Sequence, residues 1–464
     1  MPHSPPITRT LATFVAHPPA LPASVERMSG LCLIDWFGAT VAGAQEAIAA
    51  PLIRAVGRAS GAPQASIIGT AHLVSATHAA MVNGTLSHTL ELDDVHLQSA
   101  IHGSAPVWAA VLAVGEWLHA APRDMTVAFA VGYEVMARIG LPCGQAMISA
   151  NHHPTGVLGY FGAAAAASRL LGLDAGKVAM AFGIAGGQAG ACTQVRGTMS
   201  KPFFAGHSAH GGVLSALMAA EGFVSAPDVL EGSQGIFATH AAGADQGVVL
   251  DGLGDRWEVD RNAFKVHASC AMSHALVDGL IALRGQHHLR MSDIESIRLR
   301  LFPHCTEYLN RPVVATGLEG KFSAQYCAAI ALADGVAQET QFTDRRCADP
   351  AVAALMRLVH LVPDERYALD QAHVTVNMRD GQAHAVEVLA VQGSPEKPLG
   401  DAALDAKFMN LASRALPADR AAHLLHALKR WPDTPVQDLV SMARPVARSP
   451  VDEASPTSNE SQPC

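Results

Sequence analysis

Charge is what this chain has least of. Asp, Glu, Lys and Arg make up 16% of its 464 residues, against roughly a quarter in an average soluble protein. With 32 basic residues against 41 acidic ones, it lacks the basic excess that neutralises phosphates, so no nucleic-acid partner is expected. Its eight cysteines form no C-x-x-C pair and several sit in apolar helical runs, a reduced cytoplasmic set without a disulfide framework or a zinc or iron–sulfur site. The start, MPHSPPITRTLATF, lacks the features of a secretory signal. The longest apolar stretch, from Gly156, is interrupted by Ser168 and Arg169, and its Ala and Gly content suits a buried helix better than a membrane span. A cytoplasmic protein without a membrane partner is expected. H-E-x-x-H, a Walker loop and a strand-borne GxGxxG are missing, and GHSAHG at Gly206 departs from G-x-S-x-G at His210.

What is present is apolar: 49% of the residues, enough to bury a large core and exclude disorder. From Leu21 to His240 the chain reads as Ala-rich helices punctuated by Gly and Pro. Val25, Met28, Leu31, Leu33, Trp36 and Phe37 fall at helical spacing behind Ser24, an expected N-cap. MTVAFAVGYEVMARIG, ending at Gly140, reads as another helix. After Lys265 the texture changes. Ile297, Leu299 and Leu301 alternate with Arg298 and Arg300, as in a half-buried strand, and two alternating runs flank Asp380-Gly381, a hairpin signal. KFSAQYCAAIALADGV and DPAVAALMRLVHLV between them read as helices. Helical pattern returns after Pro395. The expected fold is mainly α: a large all-helical domain formed by both chain ends (1–265 and 395–448), a smaller α+β unit (266–394), and a polar tail (449–464).

Because ionised groups are costly in apolar surroundings unless paired or used, the exceptions to the charge deficit are the candidate site. NGTLSHTLELDDVHLQSAIHGSAP gathers His88, Glu91, Asp93, Asp94, His96 and His102; the plain alternative is a solvated helix end. NHHPTGVLG sets His152 and His153 before a helix start whose amides suit a carboxylate. VRGTMSKPFFAGHSAH carries Arg196, Lys201, His207 and His210, where an exposed loop lysine is the plain reading. AFKVHASCAMSH places Lys265, His267, Cys270 and His274 at the junction of the two units, where pockets commonly form. Asp-Asp-Val-His offers metal donors, but no second carboxylate-rich segment completes a site, so no metal is expected. Histidines, lysines and acids without a redox or phosphate signature suit proton transfer on a small anionic substrate.

The order NG…SH…DD…H, GYE…R, HPTGVLG, SKP, FK…C…H, FSAQYC and GSPEKPL…KF resembles the MmgE/PrpD family from about Ala23 to Ala415. The resemblance implies a homodimer, a lid formed by the α+β unit, and a site between lid and helical domain that uses no cofactor. By motif, Asp93, His102, His153, Lys201, Lys265 and Tyr326 would be catalytic, and Asp94, Arg196, Cys270 and His274 would bind a small polycarboxylate. Activities in the family include 2-methylcitrate dehydratase, cis-aconitate decarboxylase and iminodisuccinate epimerase. The decarboxylases carry an Asp two residues before their DD pair and a His five after the FK lysine, where this chain has Glu91 and Cys270. A dehydratase-like lyase is the first expectation because dehydration is the activity most often assigned in the family the chain resembles, with an epimerase, a decarboxylase or a non-catalytic polycarboxylate-binding protein as alternatives.

Overall fold

The computed structural model describes residues 6–444; the expected tail at 449–464 lies outside them. Buried apolar side chains fall into two cores. The first draws on residues 7–264 and again on 404–443, so helices from both chain ends build one body. Its centre is the helix Pro154–Leu170, buried at every residue from Pro154 to Ser168, as an Ala-rich, all-round apolar helix must be. Around it pack Ser104–Leu118, Pro122–Ser149 and Ser200–Ala220. Ser200–Ala220 also lies directly on Ala76–Ser87. A Cβ on Gly206 would stand 2.0 Å from the Met81 carbonyl oxygen, so only glycine permits that approach.

The second core draws on residues 268–391 of the α+β unit, joined by Ala42, Leu90, Leu92 and Leu411 of the helical body. Its sheet has the order Val359–Pro363, Ile294–Leu301, Ala372–Met378, Ala383–Val388, with the first pair parallel and the others antiparallel. Helices His274–His287 and Ala324–Asp334 pack against each other, the former also against the hairpin. Helix Asp401–Ala412 then returns to the first body and packs on Ala23–Gly43. Among the described residues no helix is long and apolar enough to cross a membrane.

Three local expectations are corrected. Helix Ala23–Gly43 starts behind Pro22, and Ser24 Oγ donates to Asp260 Oδ2 at 3.0 Å instead of capping. The helix expected to stop at Gly140 runs from Pro122 to Ser149 through Pro142, because a proline deletes one N–H without ending a helix packed on both sides. The run DPAVAALMRLVHLV is helical only to Met356; Val359–Pro363 pairs as a strand with Ile297–Leu301, where its β-branched valines suit the pleat better than a helix.

Candidate active site

Between the two cores lies a cavity of about 350 Å³. Helix ends aim the side chains of one wall. Helix Ala76–Ser87 ends with His88 as its C-cap, and the chain then runs without helix to Ser104, passing Glu91 at φ +57°. A left-handed conformation costs a residue with a Cβ about 1–2 kcal/mol. His153 caps helix Pro154–Leu170, and Lys201 stands in the first turn of Ser200–Ala220. Glu91, His102, His153 and Lys201 all line the cavity. The facing wall comes mostly from the second unit and the junction: Cys270, Met272, Tyr308, Phe322, Leu369 and Asp370.

Apart from His153, the first wall is one chain of polar contacts. Lys201 Nζ donates to Glu91 Oε1 and, at 2.7 Å, to His88 Nε2. An ammonium only donates, so His88 carries its proton on Nδ1 and gives it to Asp93 Oδ2 at 2.6 Å. The same Asp93 oxygen stands 3.2 Å from His102 Nδ1, which donates to the Asp94 carbonyl oxygen at 2.8 Å. That assigns the His102 proton to Nδ1 and leaves Nε2 a lone pair. His153 is the opposite: its Nδ1 accepts from the Gly156 N–H at 3.2 Å, which leaves the proton on Nε2. The two rings are parallel, 6.5 Å apart.

Burial, with Lys265 adding to it and Asp93 opposing, pushes the His102 imidazole down to about 4. Burial and then the Lys201 charge hold His153 well below its ordinary value. Both are neutral at pH 7. The acids divide. Burial raises Glu91, but Lys201, then Lys265 and His88, outweigh it and hold the carboxyl well below the usual range. Burial is likewise outweighed at Asp93, by His88 and His102. At Asp94 burial prevails over the Ser104 hydrogen bonds and pushes the carboxyl up to about 7.

Several expected residues stand elsewhere. Asp94 faces away from the cavity, accepting from the Ser104 backbone N–H and hydroxyl and from Asn262 Nδ2; consecutive side chains of an extended segment point to opposite sides. Lys265 lies behind Glu91, donating to its carbonyl oxygen at 2.9 Å and pairing with Oε2 at 3.3 Å. Tyr326 is not at the cavity: its hydroxyl donates to the Gln341 carbonyl oxygen at 2.6 Å inside the second core. Tyr308 is the tyrosine that lines it, and Arg196 stacks on that ring, 3.8 Å from the centroid. His274 is buried beside His267 and does not line the cavity, whereas Cys270 does. His207 is tied to the Tyr160 hydroxyl and His210 to the Thr77 carbonyl. His88 and Glu91 are visible in the acidic segment without an assigned role, and Lys321 and Lys407 stand in the KFSAQYC and KF segments likewise without one; Tyr308 carries no sequence signal.

Donor atoms of His88, Asp93 and His102 lie within 4.8 Å of one another. The histidine atoms closest to Asp93 are the two Nδ1 atoms, both protonated by the assignment above, and a lysine ammonium sits on the other nitrogen of His88. Such a set stabilises a carboxylate; it does not offer lone pairs to a cation.

Residues 9–248 match the MmgE/PrpD N-terminal domain and residues 267–433 the MmgE/PrpD C-terminal domain. The chain is 30% identical over 374 residues to cis-aconitate decarboxylase of Homo sapiens, covering 77% of each chain. It is 28% identical over 371 residues to cis-aconitate decarboxylase of Aspergillus terreus, covering 72% of this chain and 73% of that one. To the cis-aconitate decarboxylase-like protein oryM of Aspergillus oryzae it is 26% identical over 448 residues, covering 89% and 92%. With both domain types matched in order, the chain belongs to the MmgE/PrpD family.

Proposed function

We propose that this chain is a lyase acting on a small di- or tricarboxylic acid without a cofactor, and that it begins by removing a proton from a carbon beside a carboxylate. One observation carries the reading: His102 is neutral, oriented by Asp93 and the Asp94 carbonyl, and keeps its Nε2 lone pair unpartnered at the edge of the cavity. A general base needs that combination of position and free lone pair. The pair of electrons left on carbon moves into the adjacent carboxylate. His153 Nε2–H and the Lys201 N–H not used by Glu91 or His88 are the donors for the oxygen that gains charge, and preorganised donors of this kind supply a large share of catalysis. In a dehydration the electrons then return to expel the β-hydroxyl, which takes a proton from the Lys201 ammonium and leaves as water. His102 gains one proton, Lys201 loses one, and the product is an alkene.

A second reading, decarboxylation, is favoured by the names of the relatives. There carbon dioxide leaves first, the electrons stay on carbon, and Lys201 supplies the proton; no base is needed. Epimerisation by two bases is less well supported, because the second group must deliver a full proton to carbon and His153, held neutral, would be left as an imidazolate. The test is purified protein against citrate, 2-methylcitrate, cis-aconitate, tartrate and iminodisuccinate analogues, with alkene absorbance and carbon dioxide followed together. Alkene without carbon dioxide supports dehydration, and carbon dioxide release establishes the second reading. Solvent deuterium entering recovered acid with neither product points to epimerisation. Binding without any of these leaves a polycarboxylate-binding protein.

A further inference from the structure

Three consecutive carbonyls around Glu91 are each held by a different lysine. The Leu90 oxygen accepts from Lys321 Nζ at 2.7 Å, the Glu91 oxygen from Lys265 at 2.9 Å and the Leu92 oxygen from Lys407 at 2.5 Å. The lysines arrive from three parts of the chain. Lys321 follows the short helix Gly317–Gly320 in the α+β unit, Lys265 lies on the crossing between the two cores, and Lys407 stands on the returning helix Asp401–Ala412. Lys407 also pairs with Asp35 at 2.5 Å. Lys321 is 4% exposed and, among the described residues, has no carboxylate within ion-pair distance.

A buried ammonium without a counter-ion is one of the most expensive groups a fold can hold, and burial does push Lys321 down to about 8. Satisfying one carbonyl does not require it; a neutral donor such as Gln would serve. What an ammonium adds is a charge-assisted bond, roughly twice as strong as a neutral one. The place that receives it is the left-handed bend at Glu91, which a residue with a Cβ abandons unless its surroundings hold it. The bend sends the carbonyls toward the three lysines while the side chain of Glu91 reaches Lys201.

We propose that Lys321 and Lys407 are positioning residues: they hold the Leu90–Leu92 backbone in its bend, so that the Glu91 carboxylate stays on Lys201 and the Lys201 ammonium stays aimed at the cavity and at His88. The inference rests on the proposed lyase reading only where turnover is the readout. Neither lysine lines the cavity, so neither touches substrate. Since Lys321 belongs to the α+β unit, the seating of that unit on the helical body sets the geometry of Glu91.

The test compares wild type with Lys321→Met, which keeps the stem and removes the donor, and with Asp35→Asn/Lys407→Met, which removes that buried pair together. Two quantities are read: kcat and KM on any acid of the panel that wild type converts, and the long-range ¹H–¹⁵N NMR pattern of His88, whose tautomer reports the Lys201 contact without turnover. The expected result is a fall in kcat of at least about tenfold with KM nearly unchanged, together with an altered His88 pattern. In Lys321→Ala, ethylammonium should restore part of the rate. Unchanged His88 signals together with kcat within twofold of wild type in the folded variants overturn the proposal. If the two readouts disagree, the His88 pattern decides. Should Lys321→Met not fold, Asp35→Asn/Lys407→Met carries the test. If wild type converts no acid, the lyase reading fails by itself and the His88 pattern still decides the role of the lysines.

Discussion

The two walls of the cavity are made differently. The helical wall presents Glu91, His102, His153 and Lys201, every one engaged with another buried group, His153 and Lys201 being aimed by helix starts. The facing wall presents Cys270, Met272, Tyr308, Phe322, Leu369 and Asp370, side chains that offer shape, one hydroxyl and one carboxylate. On the proposed lyase reading, reaction chemistry is assigned to the first wall, and choice among similar acids to the second.

The sharpest way to break the comparison is His102→Gln. Loss of a general base costs typically ~10²–10⁴-fold, so kcat should fall by that order with little change in melting temperature; a kcat within tenfold of wild type would remove His102 from the role. Next is Lys201→Met, which strands the Glu91 carboxylate. Breaking a buried pair costs about 3–5 kcal/mol, visible as a lowered denaturation midpoint, and Glu91→Gln/Lys201→Met should recover most of that stability while staying inactive. Stability that does not recover would show that Glu91 is held chiefly by its other partners. On the facing wall, Cys270→His and Tyr308→Leu should alter the ratio of kcat/KM between two acids of the panel by about 10–200-fold, and melting temperature little. Rates that fall equally for every acid would contradict the division. The smallest effect is with pH. The His102 value is lowered to about 4, so the basic form is present above that pH and is lost as pH falls through it. After correction for substrate ionisation, kcat/KM should stay flat from pH 7 to 5 and turn down only near 4; a limb near 6.5 would mean an unperturbed imidazole is the base.

Much of the helical body is legible in the sequence, because a run such as Pro154–Leu170, apolar on every face, has few folded alternatives to a buried helix. The acidic segment is legible for the converse reason: charge is scarce around it. What is not legible depends on tertiary geometry. Tyr326 lies in a stretch buried from Ala324 to Leu332, so no periodicity tells which face meets the cavity, and Tyr308 stands there instead. Asp93 and Asp94 are adjacent and identical in type, yet the backbone turns one toward His88 and His102 and the other toward Ser104 and Asn262. Lys321 and Lys407 are separated from Leu90 and Leu92 by 231 and 315 residues, a distance over which no local pattern operates.

That last separation bears on synthesis. Chains emerge N-terminus first, and nearly all of the helical wall, His88 to Lys201, is translated before the residues that hold its bend exist. Lys321 and then Lys407 arrive late, the latter on a helix that must travel back to Ala23–Gly43 to dock. A nascent or truncated chain thus contains the chemical groups without their final alignment, and competence comes only when the last quarter of the protein has been made and has closed over the first.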